Sequence, residues 1–195
     1  MNRSEWLHST VSELALKAGL NQLPQIKIEK LHGKHPVNLT RGAGLESERS
    51  VFSPYVLSVD AEALEEREEE ELRYWLALML VVLNITAHPA YLRRQIIFLS
   101  VPSLMWLGVV CYFTATQSRI WLLGLLALPL TFTLGFSLTG IRAGYQAVQR
   151  HLRAIEITGD RVTPFRILAG EGTQGSAAVS RLLQKALAER TSMKA

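Results

Sequence analysis

Two stretches without a charged side chain, Ile96 to Ala115 and Ile120 to Ile141, stand four residues apart in a chain of 195 residues. As a helix, each is long enough at about 1.5 Å per residue to cross a hydrocarbon layer of about 30 Å. Only Thr116, Gln117, Ser118 and Arg119 separate them, so the spacing predicts a tight transmembrane hairpin with both flanks on one side. Arg93 and Arg94 precede the first run and Arg142, Arg150 and Arg153 follow the second, against Arg119 alone at the tip. The bias of basic residues toward the inside then places both termini on the cytoplasmic face of an inner membrane, in a multi-pass protein. A hydrophobic content of 48% fits that expectation. The expected fold is an α+β membrane protein with a small, mostly helical cytosolic domain containing a few short strands. Its expected parts are an N-terminal segment (1–92), the hairpin (93–142) and a basic segment (143–195) that packs on the first.

Composition narrows the function classes. Met1 to Gly19 mixes polar and apolar residues, with Glu5 and Glu13 among them, and does not read as a signal peptide. The single cysteine, Cys111, falls in the first apolar run and reads as a small packing residue; one cysteine makes no disulfide framework. Residues 1–95 hold 11 basic against 13 acidic side chains, and residues 142–195 hold 9 against 4. A basic segment next to a membrane helix is expected to meet anionic headgroups, at about 1 kcal/mol per basic residue. The lipid bilayer is therefore an expected partner. No aromatics interleave with the basic residues after Phe165, so nucleic acid is not expected.

Ser4 to Ala18 has apolar residues at helical spacing and ends at Gly19. Gln25 to Leu31 and Pro54 to Asp60 read as strands, and His32 to Glu48 as a turn and loop region. From Ala61 the pattern is helical, with Asp60 as the expected N-cap and glutamates over the first turns. The apolar run Leu72 to Leu83 contains Arg73 and is too short to span a bilayer, so it reads as a buried helix. Ala143 to Ile157 continues as a helix, Thr163 to Ala169 is ambiguous, and Gly170 to Gly175 is a loop. A last helix is expected from Ser176 to Glu189, with an apolar stripe of Ala178, Leu182, Leu183 and Leu187.

Glu71 to Asn84 (E-L-R-Y-W-L-A-L-M-L-V-V-L-N) and Ala154 to Asp160 (A-I-E-I-T-G-D) carry a resemblance. With the order of the elements around them, from roughly Glu13 to Ala169, they resemble the HtpX-type integral-membrane zinc metallopeptidases. In that family the first segment reads E-L-x-x-V-L-A-H-E-L-x-H-I-x-N and the last runs into a segment like A-x-E-L-T-G-D-P. The resemblance implies a metal site made of two histidines one turn apart, a glutamate acting as general base, and a third ligand, a glutamate, on the helix after the hairpin. Here those positions hold Leu78, Met79, Val82 and Ala147, and His151 stands where the family usually has Asp. None of these four side chains can hold zinc at about 2.0 to 2.1 Å or take a proton from water. The resemblance thus implies a scaffold whose catalytic residues and cofactor are gone, acting as a membrane-anchored binding, adaptor or regulatory protein on another membrane protein or a membrane protease complex.

Other chemistry finds less footing. His32 and His35 lie in a loop without further ligands at a recognisable spacing. The run Glu62, Glu65, Glu66 and Glu68 to Glu71 is too crowded for a tuned acid–base pair and reads as a solvated face, with salt bridges to Arg67, Arg73 or the basic C-terminal segment. Glu65, Glu66, Glu69, Arg150 and Arg153 are the residues expected to meet a partner. Gly170 to Gly175 fits G-x-G-x-x-G, but the chain ends too soon for a dinucleotide-binding unit. Two rival readings stand beside the first: a peptidase with relocated ligands, drawn from His32, His35, His88 or His151 with a glutamate, and a structural subunit of a larger membrane complex.

Overall fold

Helix α1 (Arg3–Ala18) begins at Asn2, whose side chain accepts from the Ser4 N–H while Glu5 reaches back to the Asn2 backbone. That reciprocal box satisfies two donors that helix geometry leaves open. The helix ends in a Schellman turn. Gly19 is left-handed (φ 78°), its N–H bonds the Leu16 carbonyl, and the Leu20 N–H bonds the Ala15 carbonyl. A side chain at Gly19 would clash with its own backbone, so Gly19→Ala is expected to cost about 1 kcal/mol. A lower urea midpoint with an unchanged slope would register that loss.

The computed structural model describes residues 2–32, 35–41, 55–87, 108, 111–112, 140 and 142–192. The chain forms two units, Met1–Ile85 with Ala147–Ala195, and Thr86–Gln146. In the first unit α1 is followed by strands β1 (Gln25–Glu29), β2 (Val37–Arg41) and β3 (Tyr55–Asp60), then helices α2 (Ala61–Glu66) and α3 (Glu69–Ala87). Helix α4 covers 142–158, and α5 (Thr163–Glu171) and α6 (Gln174–Ser192) complete the chain.

The sheet has the order β1-β3-β2, with β1 parallel and β2 antiparallel to β3. Strand β2 lies within the stretch expected to be loop. Its sequence, Val-Asn-Leu-Thr-Arg, does alternate, and opposite Val59 and Leu57 it places Val37 and Leu39 on one face. Leu57, Val59 and Val37 are almost fully buried on that face. Asp60 does not cap α2 with its side chain. Its carboxylate accepts from the Leu31 N–H instead and ties the end of β1 to β3.

Helix α3 is the centre of the unit. Leu72, Tyr74, Trp75, Leu76, Ala77, Leu80, Val81 and Leu83 are all buried, and a helix apolar nearly all round is stable only when covered on every side. Each buried leucine contributes about 1.5 to 3 kcal/mol. Arg73 pairs with Glu13, and the Asn84 amide donates to the Ala18 carbonyl, so α1 lies parallel to α3. Arg3 donates to the carbonyls of Leu64 and Arg67 and satisfies the end of α2.

The membrane architecture expected from the apolar runs does not stand. Among the described residues no helix is long and apolar enough to cross a membrane. The expected α+β membrane protein, its transmembrane hairpin and its multi-pass placement in an inner membrane are not supported. Hydropathy records that a run avoids water and not what replaces it; in α3, which reads from its sequence as buried and which carries Glu69, Glu70, Glu71 and Arg73 near its start, the apolar side chains are covered by protein. Both runs, 96–115 and 120–141, lie outside the described residues except Gly108, Cys111, Tyr112 and Gly140, which are helical. Cys111 is exposed.

The C-terminal helices also differ in detail. Thr163 to Glu171 is a helix, not an ambiguous stretch, because Asp160 accepts from the N–H groups of Val162 and Thr163 and starts it. Helix α6 begins at Thr173 through a reciprocal pair. The Thr173 hydroxyl accepts from the Ser176 N–H, and the Ser176 hydroxyl accepts from the Thr173 N–H. Its inner face is Ser176, Val179 and Leu183, while Ala178 and Leu182 face outward. Of the expected stripe, Leu183 and Leu187 pack on the core, and Ala178 and Leu182 do not.

Candidate functional site

The helix carrying the resemblance presents Trp75, Leu78, Met79 and Val82 at spacings of three, four and seven, one face of α3. Trp75 and Leu78 are buried, and Met79 and Val82 half-buried. Met79 and Ala147 pack against the core cluster to which Leu78 belongs. The His35 ring lies against Trp75, centroids 5.0 Å apart, at the start of β2. The Trp75 indole N–H is buried without a hydrogen-bond partner.

Helix α4 meets α3 through a buried polar pair. The Tyr74 hydroxyl and His151 Nδ1 are 2.7 Å apart, and the two rings stack at 6.2 Å and 13°. Farther along, Arg166 of α5 pairs with Glu68, just before α3, at 3.3 Å. Leu78 stands one turn beyond Tyr74 on α3, and Ala147 one turn before His151 on α4.

Burial dominates the electrostatics of this pair. It pushes the Tyr74 hydroxyl well above its ordinary value, with the Asp160 carboxylate adding to the effect. It also lowers His151 to about 4, the Arg150 cation acting in the same direction. At neutral pH both are uncharged and one proton lies between them. Asp160 itself is held below the usual carboxylate range by its bonds to Thr163 and Val162 against the cost of burial, and its Oδ2 is buried without a partner.

The other sequence candidates fall apart spatially or chemically. Glu65, Glu66 and Glu69 are exposed on α2 and α3. Of the acidic run, Glu71 pairs with Arg67, Glu68 with Arg166 and Glu62 with Lys30. Arg73 turns to α1 rather than to the run. Arg153 is paired with Glu156, which also holds Arg190, and the Arg150 Nε is buried without a partner. His32 and His35 are exposed, and His88 lies outside the described residues. Among the described residues no group of three His, Cys, Asp or Glu side chains could hold a metal ion, which leaves the relocated-ligand reading without support there. The Tyr74–His151 pair escaped sequence reasoning. The only signal was His151 on a helix facing another helix, and the partner lies 77 residues away in sequence.

The chain matches no family model, no curated protein and no solved structure.

Proposed function

We propose that this chain is a non-catalytic relative of the HtpX-type zinc metallopeptidases that binds a polypeptide segment in the cleft where the family would cut one. The observation that carries this reading is the face of α3 on which Leu78, Met79 and Val82 stand where the family has ligands and base, with Met79 and Ala147 packed against the core cluster that holds Leu78. Histidine and glutamate left there without metal would each cost about 1 to 3 kcal/mol, whereas aliphatic and thioether groups pack. Beside that face, β2 is an edge strand of the sheet, and an edge strand offers backbone groups to an added extended segment.

Casein serves as the probe because it is an extended polypeptide that metallopeptidases cut. The purified full chain is expected to contain no stoichiometric zinc and to leave casein intact. Casein should nonetheless perturb the backbone amide signals of Val37 to Arg41 and of α3. Chelator-sensitive cleavage, or the absence of any perturbation, overturns the reading.

A further inference from the structure

The Tyr74–His151 bond is unlike the rest of the α3–α4 contact, which is apolar: Leu72, Leu76, Val148, Leu152 and Ile155 are all buried in one core cluster. A neutral imidazole suits that setting, since Tyr74 shares one proton with Nδ1 and both rings stay uncharged. An imidazolium does not suit it. Both of its nitrogens would donate, so the Tyr74 hydroxyl could only accept, and the new charge would sit buried beside Arg150. The titratable and charged groups that face the pair are Tyr74 from α3, Arg150 from the same helix, and Asp160 from the turn after α4, itself faced by Arg166 of α5. Asp160 directs Oδ1 to the start of α5 and makes no hydrogen bond to His151, so among the described residues no carboxylate braces the ring.

We propose that Tyr74 and His151 form an acid-labile tie that holds α4 closed on α3 beside Leu78 and Ala147, and that a proton taken up from solvent by the imidazole releases it. The tie stands on the buried geometry alone; that its release bares a former metal cleft rests on the function proposed above. The Tyr74 hydroxyl keeps its proton throughout; the imidazolium Nδ1–H can still donate to it, and it is the new buried charge beside Arg150 that separates the helices. Between pH 6.5 and 4.5 the ratio of open to closed forms rises about 40-fold, because the open form takes up close to one more proton over that range.

Trp75 adjoins Tyr74 and is buried, but the His35 ring also lies against it, so the test is run in His35→Phe, where Trp75 reports on the tie. Full-length protein labelled with 5-fluorotryptophan is titrated by fluorine NMR, and the Trp75 signal is assigned by its loss in Trp75→Phe. The signal is expected to shift or broaden between pH 6.5 and 4.5 while the far-ultraviolet circular dichroism holds constant, and to stay fixed in Tyr74→Phe/His151→Phe. A Trp75 signal that is unmoved, that moves only with loss of helix, or that still moves in the double variant overturns the proposal. In the unsubstituted protein the His151 ring carbon signal gives a check free of any substitution: an ordinary midpoint near 6.5 overturns the tie, and a clearly lower one supports it. Zinc and casein assays at neutral pH test the cleft separately, so the two ideas can fail independently.

Discussion

Replacing Leu78 with His, Met79 with Glu, Val82 with His and Ala147 with Glu should give a protein that holds one zinc ion. Leu78 and Val82 lie one turn apart on α3, and Ala147, one turn before His151 on α4, packs against the core cluster that holds Leu78. Two imidazoles and a carboxylate from two helices would then converge as three ligands, with the fourth position left to water. Without metal the variant should be less stable than the parent, by about 1 to 3 kcal/mol for each buried polar group left unpaired. Zinc at about 1,000 times its dissociation constant restores about 4 kcal/mol. In a chain of this length that raises the melting temperature by about 10 °C. Metal analysis after gel filtration and a thermal scan with and without zinc read both effects. A variant that folds yet takes up no zinc would show that the four positions do not surround one point, and the reading as a former peptidase would be lost with them.

The second large effect belongs to Tyr74 and His151. His151→Leu leaves the Tyr74 hydroxyl buried without an acceptor, and Tyr74→Phe strands a ring nitrogen; each is expected to cost about 1 to 3 kcal/mol. The double variant should cost less than the sum, with a coupling of about 1 to 2 kcal/mol, because the second change removes the group stranded by the first. The pH dependence has a definite sign. His151 is lowered to about 4 in the folded chain against about 6.5 unfolded. The unfolded chain therefore binds more protons between those values, and stability is full above pH 6.5 and lost as pH falls toward 4. From pH 6.5 to 4.5 the loss is about 2 to 3 kcal/mol. Glu156 and Asp160, both held below their ordinary values, lose their contributions only at still lower pH. Urea midpoints at pH 6.5 and 4.5 should converge in Tyr74→Phe/His151→Leu. A slope that survives the double substitution would assign the acid sensitivity to other groups.

Local chemistry was legible in the residues themselves. Gly19 marked the end of α1, and the strands expected over Gln25 to Leu31 and Pro54 to Asp60 lie within two residues of β1 and β3, while the short apolar run Leu72 to Leu83 marked a buried helix that extends three residues earlier and four later. Strand β2 was missed because five residues among Gly, His and Arg neighbours carry a weak alternating signal, and pairing with β3 supplies the rest. The membrane expectation came from hydropathy, which records that a residue avoids water and not whether lipid or protein replaces it. For α3 the replacement is protein, through α1, α4 and the sheet.

The amino-acid order by itself determined which side chains stand at Leu78, Met79, Val82 and Ala147, and hence that zinc chemistry has no donors there. Tertiary structure alone decided that α4 packs His151 against Tyr74 of α3, since a contact across 77 residues leaves no trace in local spacing. Composition and period are properties of neighbours along the chain. The meeting of two helices is fixed by how their apolar faces exclude water and by the one polar pair that must be satisfied between them.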